Sequence, residues 1–295
     1  MGAIMLAVKN LSKQYNNGVQ ALNCINLLIG KGMFGLLGPN GAGKSSLMRT
    51  LATLQSADSG EIHFHEIDVI NNPQTLRKSL GYLPQEFGVY PRVSAYKLLD
   101  YLAVLKGIQD KKVRHRKVIT LLEQTNLIED KDRAVANFSG GMVRRFGIAQ
   151  ALIASPELII VDEPTAGLDP QERNRFYNLL SEVSAQTTLI LSTHIIEDIQ
   201  GLCNELAIIN QGEIVSQGSI HGMTRTLQGK VWQALVDESC ISAIQTKHQV
   251  LSIKSIGLKR QLRVLAAQQP SEIFTLTEPD LEDVYFSVLD RSNNQ

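Results

Sequence analysis

The sequence predicts an α/β fold organised around a buried parallel sheet. Three short apolar runs occupy residues 33–37, 158–161 and 188–193, and the last two are rich in β-branched residues. Runs of this length are typical of strands buried on both faces of a parallel sheet. Apolar residues at helical spacing begin at Leu47, soon after the first run. The 295 residues are enough for one large domain or two ordinary ones.

A glycine-rich loop follows the first strand directly. It matches the pattern G-x-x-x-x-G-K-[ST], whose glycines let successive backbone N–H groups turn inward around an anion. The helix that follows adds the positive end of its dipole. We therefore expect Lys44 to reach the β- and γ-phosphates of a nucleotide and the Ser45 hydroxyl to bind Mg²⁺. The alternative is a glycine-rich turn that happens to precede a helix. The predicted nucleotide-binding residues of this loop are Gly38, Pro39, Asn40, Gly41, Ala42, Gly43, Lys44, Ser45 and Ser46.

Two carboxylates close the second strand. Asp162 and Glu163 follow residues 158–161, at the strand end where α/β sheets bind ligands. Asp162 suits a ligand held near Mg²⁺, and Glu163 suits a general base that orients the attacking water. Without the phosphate loop upstream, a pair of acidic loop residues would be the simpler interpretation.

The third strand ends in His194. Its position at a third strand end predicts a contact with the γ-phosphate. The alternative is the structural or surface role that most lone histidines have.

The composition argues against several function classes. Lys and Arg number 29 and Asp and Glu number 29, so the formal net charge is zero, and no nucleic-acid partner is expected. With 43% hydrophobic residues the chain can form a packed core. No run approaches the roughly 18–20 apolar residues of a membrane-spanning helix, and no signal peptide is visible. Three widely spaced cysteines fit a reducing compartment. These features predict a soluble, cytoplasmic protein.

The segment that begins with Ser139, Gly140 and Gly141 makes the interpretation specific. It precedes a helical pattern and lies one helix and one strand before Asp162. It resembles the Leu-Ser-Gly-Gly-Gln signature motif of ABC-type ATPases, although Phe138 and Met142 replace the usual Leu and Gln. The resemblance implies a second anion site, in which the serine hydroxyl and glycine amides bind the γ-phosphate of ATP held by another protomer.

Further positions resemble ABC motifs in their usual order. Tyr15 resembles the aromatic that stacks on adenine, with an ordinary strand tyrosine as the alternative. Gln85 resembles the Q-loop glutamine that reaches Mg²⁺ and the attacking water. Asp169, in the segment 166–170, resembles the D-loop aspartate that crosses the dimer interface, and His194 resembles the switch histidine. The resemblance therefore implies ATP and Mg²⁺ as cofactors. It assigns catalysis to Glu163, His194, Gln85 and Lys44, and metal binding to Ser45, Gln85 and Asp162.

The resemblance covers residues 4 to about 222. It implies a mixed sheet core with an antiparallel β subdomain and a helical subdomain between Gln85 and Ser139. In that insertion, we expect the apolar face of one helix to be core rather than a partner groove. That face comprises Leu98, Tyr101, Leu102, Leu105 and Ile108. Tyr90, Pro91 and Arg92 are the expected contacts of a membrane subunit. The basic residues are expected on exposed helix faces, namely Lys111, Lys112, Arg114, His115, Arg116, Lys117, Arg144 and Arg145.

The pattern changes after residue 222. Short strands are predicted at 230–236, 250–253 and 261–265, and a helix follows with Asp280 as its N-cap. We therefore expect an ATPase domain at 1–222 and a small α+β accessory domain at 223–295. The last segment is similar to the ending of daunorubicin-resistance-type ATP-binding subunits.

The resemblance implies the ATP-hydrolysing subunit of an ABC exporter. Such a subunit forms a homodimer or heterodimer of ATPase subunits and works with a separate membrane permease on the cytoplasmic face of the membrane. Two alternatives stay open: a soluble ABC ATPase that acts on ribosomes or DNA, and an importer ATPase.

Overall fold

Strands and helices alternate through most of the chain. The computed structural model describes residues 4–85, 88, 90–165, 168–185 and 187–293. Within these ranges the strands are β1 (Ile4–Gln14), β2 (Gln20–Gly30), β3 (Gly32–Leu37), β4 (Ser59–Phe64), β5 (Ile67–Asp68), β6 (Leu80–Leu83), β7 (Leu158–Asp162), β8 (Thr188–Thr193), β9 (Glu205–Asn210), β10 (Glu213–Ser219), β11 (Val231–Val236), β12 (Gln249–Ile256), β13 (Lys259–Leu265) and β14 (Thr275–Leu276). The α-helices are α1 (Lys44–Leu51), α2 (Pro73–Lys78), α3 (Ala95–Leu105), α4 (Lys111–Gln124), α5 (Gly140–Ala151), α6 (Pro170–Ser184), α7 (Ile196–Leu202), α8 (Ile220–Arg225), α9 (Ile241–Gln245) and α10 (Leu281–Asn293).

The central sheet has the order β10-β9-β3-β8-β7-β6. Its strands run parallel except β10, which pairs antiparallel with β9 at one edge. Every residue of β7 and β8 is buried, as the continuous apolar runs predict for strands covered on both faces. The predicted mixed sheet core is confirmed.

The strand register places the predicted site at one edge of this sheet. Leu37 lies opposite Thr193, and Asp162 lies opposite Ser192. The chain segments that follow β3, β7 and β8 therefore leave the sheet at the same level. This is the carboxyl edge where parallel α/β sheets bind ligands.

A second sheet covers the phosphate-loop helix. Its order is β2-β1-β4-β5, with antiparallel pairs throughout, which confirms the predicted antiparallel β subdomain. Helix α1 contacts β2 from this sheet and β7 and β8 from the central one. Leu47 and Met48 of α1 share one buried core with Ile25 and Leu158. Each such fully buried side chain contributes about 1.5–3 kcal/mol, so the helix is held firmly between two layers.

The predicted helical subdomain has a core of its own, formed by α3, α4 and α5. Phe138, which replaces the signature leucine, is buried there and packs edge-on against Phe146 at 6.4 Å between ring centres. The expectation for the apolar face of α3 is wrong in part. Leu98 is buried in this core, and Leu102 and Ile108 pack against it, but Tyr101 and Leu105 are 55% and 64% exposed.

Three of the arginines expected on exposed helix faces lie in packed positions. Arg114 is buried, and its Nε lies 2.5 Å from Asp100 Oδ1. Arg145 donates from Nη1 to the carbonyl oxygens of Thr125 and Asn126, which end α4. Arg144 is half-buried. The sequence pattern missed this because the partners of each arginine lie in other segments of the chain and not in its own helix.

The C-terminal sheet has the order β12-β13-β11-β14, and α10 packs on it. Asp280 is the predicted N-cap of α10: its Oδ1 accepts from the backbone N–H of Asp283 at 2.9 Å, and Asp283 returns the bond. Helix α8 spans the proposed boundary at residue 222, and Leu206 shares a core with Val231 and Leu281. The division at 222 stays a proposal. None of the helices in the described ranges is long and apolar enough to span a membrane.

Candidate active site

The phosphate loop, residues 38–43, connects β3 to α1 and lies tightly against neighbouring backbone. Gly43 has φ +104°, in the left-handed region that favours glycine, and a Cβ there would lie 2.5 Å from Ala21 O. A Cβ on Gly38 would lie 2.4 Å from Ile209 O. Glycine at both positions therefore lets the loop sit against β2 and β9.

Lys44 is buried at the start of α1. Its Nζ donates to Gly38 O at 2.8 Å and to Pro39 O at 3.1 Å, so the loop holds the ammonium group from within. The same Nζ lies 3.3 Å from Glu163 Oε1. A buried ammonium needs such partners because desolvation of an unpaired charge is costly.

Glu163 is the centre of the site. His194 Nδ1 lies 3.3 Å from its Oε1, the oxygen that also faces Lys44. Gln85 Nε2 donates to the other oxygen, Oε2, at 3.3 Å. Side chains from the start of α1 and from the segments that follow β6 and β8 thus meet one carboxylate that is only 11% exposed. The structure brings together all four residues predicted to be catalytic.

The backbone at Glu163 is strained. Its φ is +44°, which costs about 1–3 kcal/mol for a residue other than glycine. Its N–H donates to Ser192 O at 3.0 Å and to Ser192 Oγ at 3.3 Å. These bonds to β8 hold the turn that carries the carboxylate towards Lys44.

Asp162 is the last residue of β7 and is 2% exposed. Its Oδ1 accepts a short hydrogen bond from Ser192 Oγ. Ser192 is therefore a supporting residue that sequence reasoning missed. The available signal was a hydroxyl near the end of the strand that neighbours the strand of Asp162.

Tyr15 lies next to the phosphate-loop helix, one residue beyond β1. Its Oη lies 2.9 Å from Ser46 Oγ and donates to Gln55 Oε1 at 3.0 Å. The ring is partly exposed, and an adenine contact stays a prediction. Ser45, in the first turn of α1, is half-buried.

The signature residues form the start of α5. Ser139 is the N-cap, and its hydroxyl accepts from Met142 N at 3.3 Å. Asp169 caps α6 in the same way, accepting from Glu172 N at 2.9 Å. A Cβ on Gly141 would lie 2.5 Å from Glu172 Oε2, so the two helix starts pack closely. Ser139, Gly140 and Asp169 are exposed.

Among the described residues, no hydrogen bond or ion pair joins Ser139 to the Glu163 cluster. The link between the two parts is indirect: Arg144 Nη1, in α5, donates to Pro84 O at 3.4 Å and more closely to Gln85 O. Arg144 is the second supporting residue that the sequence did not reveal. Ala166 and Gly167 of the expected D-loop lie outside the described residues.

Comparison with known proteins gives an independent view of this site. The sequence model of the family described as "ABC transporter" matches residues 22–166, which include the phosphate loop, Gln85, Ser139 and Glu163. The daunorubicin/doxorubicin resistance ATP-binding protein DrrA of Streptomyces peucetius is 32% identical, over 77% of this chain and 68% of that protein. The linearmycin resistance ATP-binding protein LnrL of Bacillus subtilis is 29% identical, over 97% of this chain and 99% of that protein.

A solved structure has the same fold. It is a dimer of the ATP-binding cassette MJ0796 in a post-hydrolysis state, bound to ADP and Pi. The TM-score is 0.67 at 24% identity, and the match covers 73% of this chain and 98% of that one.

Proposed function

Because this chain belongs to the ABC transporter family of ATP-binding proteins, and so binds and hydrolyses ATP, we propose that it is the motor subunit of an exporter. The observation that carries the proposal is the convergence of Lys44, Gln85 and His194 on the Glu163 carboxylate. Phosphoryl transfer to water needs a base, a cation and hydrogen-bonding groups close together. Here a base, a cation and two hydrogen-bonding groups meet at one edge of the central sheet.

The residues present fit a magnesium nucleotide. The Ser45 hydroxyl, the Gln85 amide and the buried Asp162 carboxylate supply the hard oxygen ligands that Mg²⁺ prefers, and these side chains would hold it. When bound, Mg²⁺ neutralises charge on the β- and γ-phosphates. The exposed ring of Tyr15 beside Ser46 supports its proposed contact with adenine.

The remaining chemistry is assigned to side chains of this chain. Lys44 Nζ, now held by loop carbonyls and Glu163, stabilises negative charge on the transferred phosphoryl group. Glu163 orients the attacking water and accepts its proton at a carboxylate oxygen. Gln85 and His194 hold that carboxylate from both oxygens, so less orientation has to be achieved during the reaction.

The second half of each site comes from another ATPase subunit. Ser139, Gly140 and Gly141 stand at the N-terminus of a 12-residue helix, and the first two are exposed. Helix N-termini bind anions through free N–H groups and the helix dipole. In a head-to-tail dimer, this segment reaches the γ-phosphate held by the partner, with Asp169 at the interface. The partner is a second copy or a related chain.

The permease contacts a groove beside the Q-loop. The groove has a volume of ≈ 840 Å³ and lies between α3 and the β6 edge of the central sheet. Leu54 and Leu105 on its walls are 63% and 64% exposed, and Tyr82 lines it three residues before Gln85. Tyr90, Pro91 and Arg92 are also exposed, and we assign them to the permease contact as well. Through this contact the protein sits at the cytoplasmic face of the membrane.

DrrA and LnrL are named as resistance proteins, which supports export as the direction of transport. Co-purification tests this assignment against its rivals. Isolation of the chain with a membrane subunit supports the transporter, whereas isolation with ribosomes or DNA would overturn it.

The substitution Glu163→Gln tests the catalytic assignment. We expect ATP hydrolysis to fall by about 10³-fold or more, because the amide cannot accept the proton of the attacking water. ATP binding should persist, and the variant should elute as an ATP-dependent dimer in size-exclusion chromatography.

Glu123→Gln is the matched control, because Glu123 is exposed on α4 and far from the strand ends in sequence. It should behave as wild type. Elution of both the parent and the Glu163→Gln variant as monomers with ATP would contradict the composite site.

A further inference from the structure

A buried carboxylate lies behind the strand ends that carry Glu163 and His194. Asp198, in α7, is fully buried. Its Oδ2 accepts from Thr165 Oγ1 at 2.5 Å and from Thr193 Oγ1 at 3.1 Å. Its Oδ1 accepts a short hydrogen bond from Tyr177 Oη and lies 4.0 Å from Arg173 Nη1. One side chain of α7 thus binds the end of β8, the segment after β7 and helix α6.

The buried environment of Asp198 strengthens its hydrogen bonds. A carboxylate removed from water must be satisfied by nearby donors, so each donor is held strongly in place. Burial, and then the hydrogen bond to Asp198, raises the pKa of Tyr177 well above its ordinary value. Tyr177 therefore stays protonated and remains a donor.

The two oxygens of Asp198 face different parts of the molecule. Oδ1 faces Tyr177 and Arg173, which belong to α6. Oδ2 faces the two threonines at the carboxyl edge of the central sheet. Oδ1 thus contacts the packed helix α6, and Oδ2 binds hydroxyl groups at the strand ends.

The two threonines flank the catalytic pair. Thr165 lies two residues after Glu163, and Thr193 directly precedes His194. Thr193 Oγ1 also accepts from the Ile195 N–H at 3.0 Å, so His194 is held on both sides. The distance between Glu163 Oε1 and His194 Nδ1 is itself 3.3 Å.

We propose that Asp198 is a positioning residue, which sets the distance between Glu163 and His194 by holding Thr165 and Thr193 on one carboxylate oxygen. The inference rests on the catalytic roles proposed above for Glu163 and His194. Asp198 touches neither of them and acts through the two hydroxyl groups.

The two oxygens make a matched test available in the full-length protein. Thr165→Val removes a donor to Oδ2, and Tyr177→Phe removes a donor to Oδ1. Both leave the same buried carboxylate with one donor fewer, so both lower the melting temperature. We expect only Thr165→Val to lower kcat, by about 10- to 100-fold, with KM for ATP within about twofold, because misplacement affects the chemical step more than binding.

Three further measurements separate positioning from stability. Thr165→Ser keeps the hydroxyl and should restore most of kcat. Thr193→Val should resemble Thr165→Val. In a Glu163→Gln background, Thr165→Val should have no further effect on the residual rate, because the group that it positions is already inactive.

The outcomes distinguish this inference from the proposed function. Wild-type hydrolysis by Glu163→Gln would overturn the proposed function itself. Loss of activity in Glu163→Gln together with unchanged kcat in Thr165→Val would overturn only the role of Asp198. An equal loss of kcat in Thr165→Val and Tyr177→Phe would also overturn it, since that result indicates general destabilisation.

Discussion

The catalytic cluster and the signature segment differ in where their polar groups find partners. The catalytic cluster comprises Lys44, Gln85, Glu163 and His194, and its members bind one another within a single chain. The signature segment comprises residues 139–141, and its serine caps its own helix while its first two residues face solvent.

This difference teaches that the two halves of the proposed site are organised by different means. The catalytic cluster is preorganised by strand register and by bonds between strand ends, so it can be assembled by folding alone. The signature segment presents the free N–H groups of a helix N-terminus, which need a partner from outside their own helix. The first half should therefore act within a protomer and the second between protomers.

The largest expected effect comes from separating the halves in a mixed dimer. Lys44→Ala and Ser139→Arg should each abolish ATP hydrolysis. A mixture of the two should recover about a quarter of the wild-type rate, because half of random dimers are mixed and one of their two sites is intact. The measurement is the ATPase rate as a function of mixing ratio.

Two controls complete the mixing experiment. A mixture of Lys44→Ala with Glu163→Gln should stay inactive, since both changes fall in the same half and every site loses one of them. Recovery of ATPase activity in that mixture would contradict the division between halves. The absence of recovery when Lys44→Ala is mixed with Ser139→Arg would contradict it as well.

A smaller effect is expected at the packing between the signature helix and α6. Gly141→Ala places a methyl group where Glu172 Oε2 lies, 2.5 Å from the new Cβ. The Glu172 side chain must then move away from Arg145, whose Nε lies 3.4 Å from Glu172 Oε2. We expect a loss of about 1–3 kcal/mol in the free energy of unfolding, measured by chemical denaturation.

Gly140→Ala is the control for this substitution. A Cβ at Gly140 meets nothing within 4 Å, so stability should be nearly unchanged. Equal destabilisation of the two variants would show that helix formation, and not the contact with Glu172, determines the cost.

The smallest effect concerns the reactivity of Cys203, whose buried thiol lies in the packed layer behind the catalytic cluster. Burial, followed by the negative charge of Asp198, raises the pKa of the Cys203 thiol to about 12. Because the pKa is raised, the reactive thiolate is scarce at pH 8, and Cys203 should resist alkylation until near pH 12 or until unfolding. Cys24 and Cys240 are exposed and should react at pH 8. Mass spectrometry after labelling reads out each site, and rapid native labelling of Cys203 would show that the layer opens.

Much of the catalytic cluster is predictable because its signals are local. A glycine-rich loop before a helix, and polar residues at the ends of buried strands, follow from backbone geometry within a few residues. This is why Lys44, Asp162, Glu163 and His194 could be named from the chain alone. The capping role of Asp280 was visible for the same reason.

The sequence by itself thus determined the three strands that lead to the site, the phosphate loop, the N-cap of α10 and the residue types at those strand ends. Only the tertiary structure decided which groups support them. Ser192 meets Asp162, Arg144 meets Gln85, and Asp198 meets Thr165, and these pairs are 30 to 59 positions apart in the chain. The tertiary structure also left Leu105 facing solvent. These outcomes depend on strand register and on how helices pack against one another, and such long-range contacts leave no periodic signal in the residues that make them.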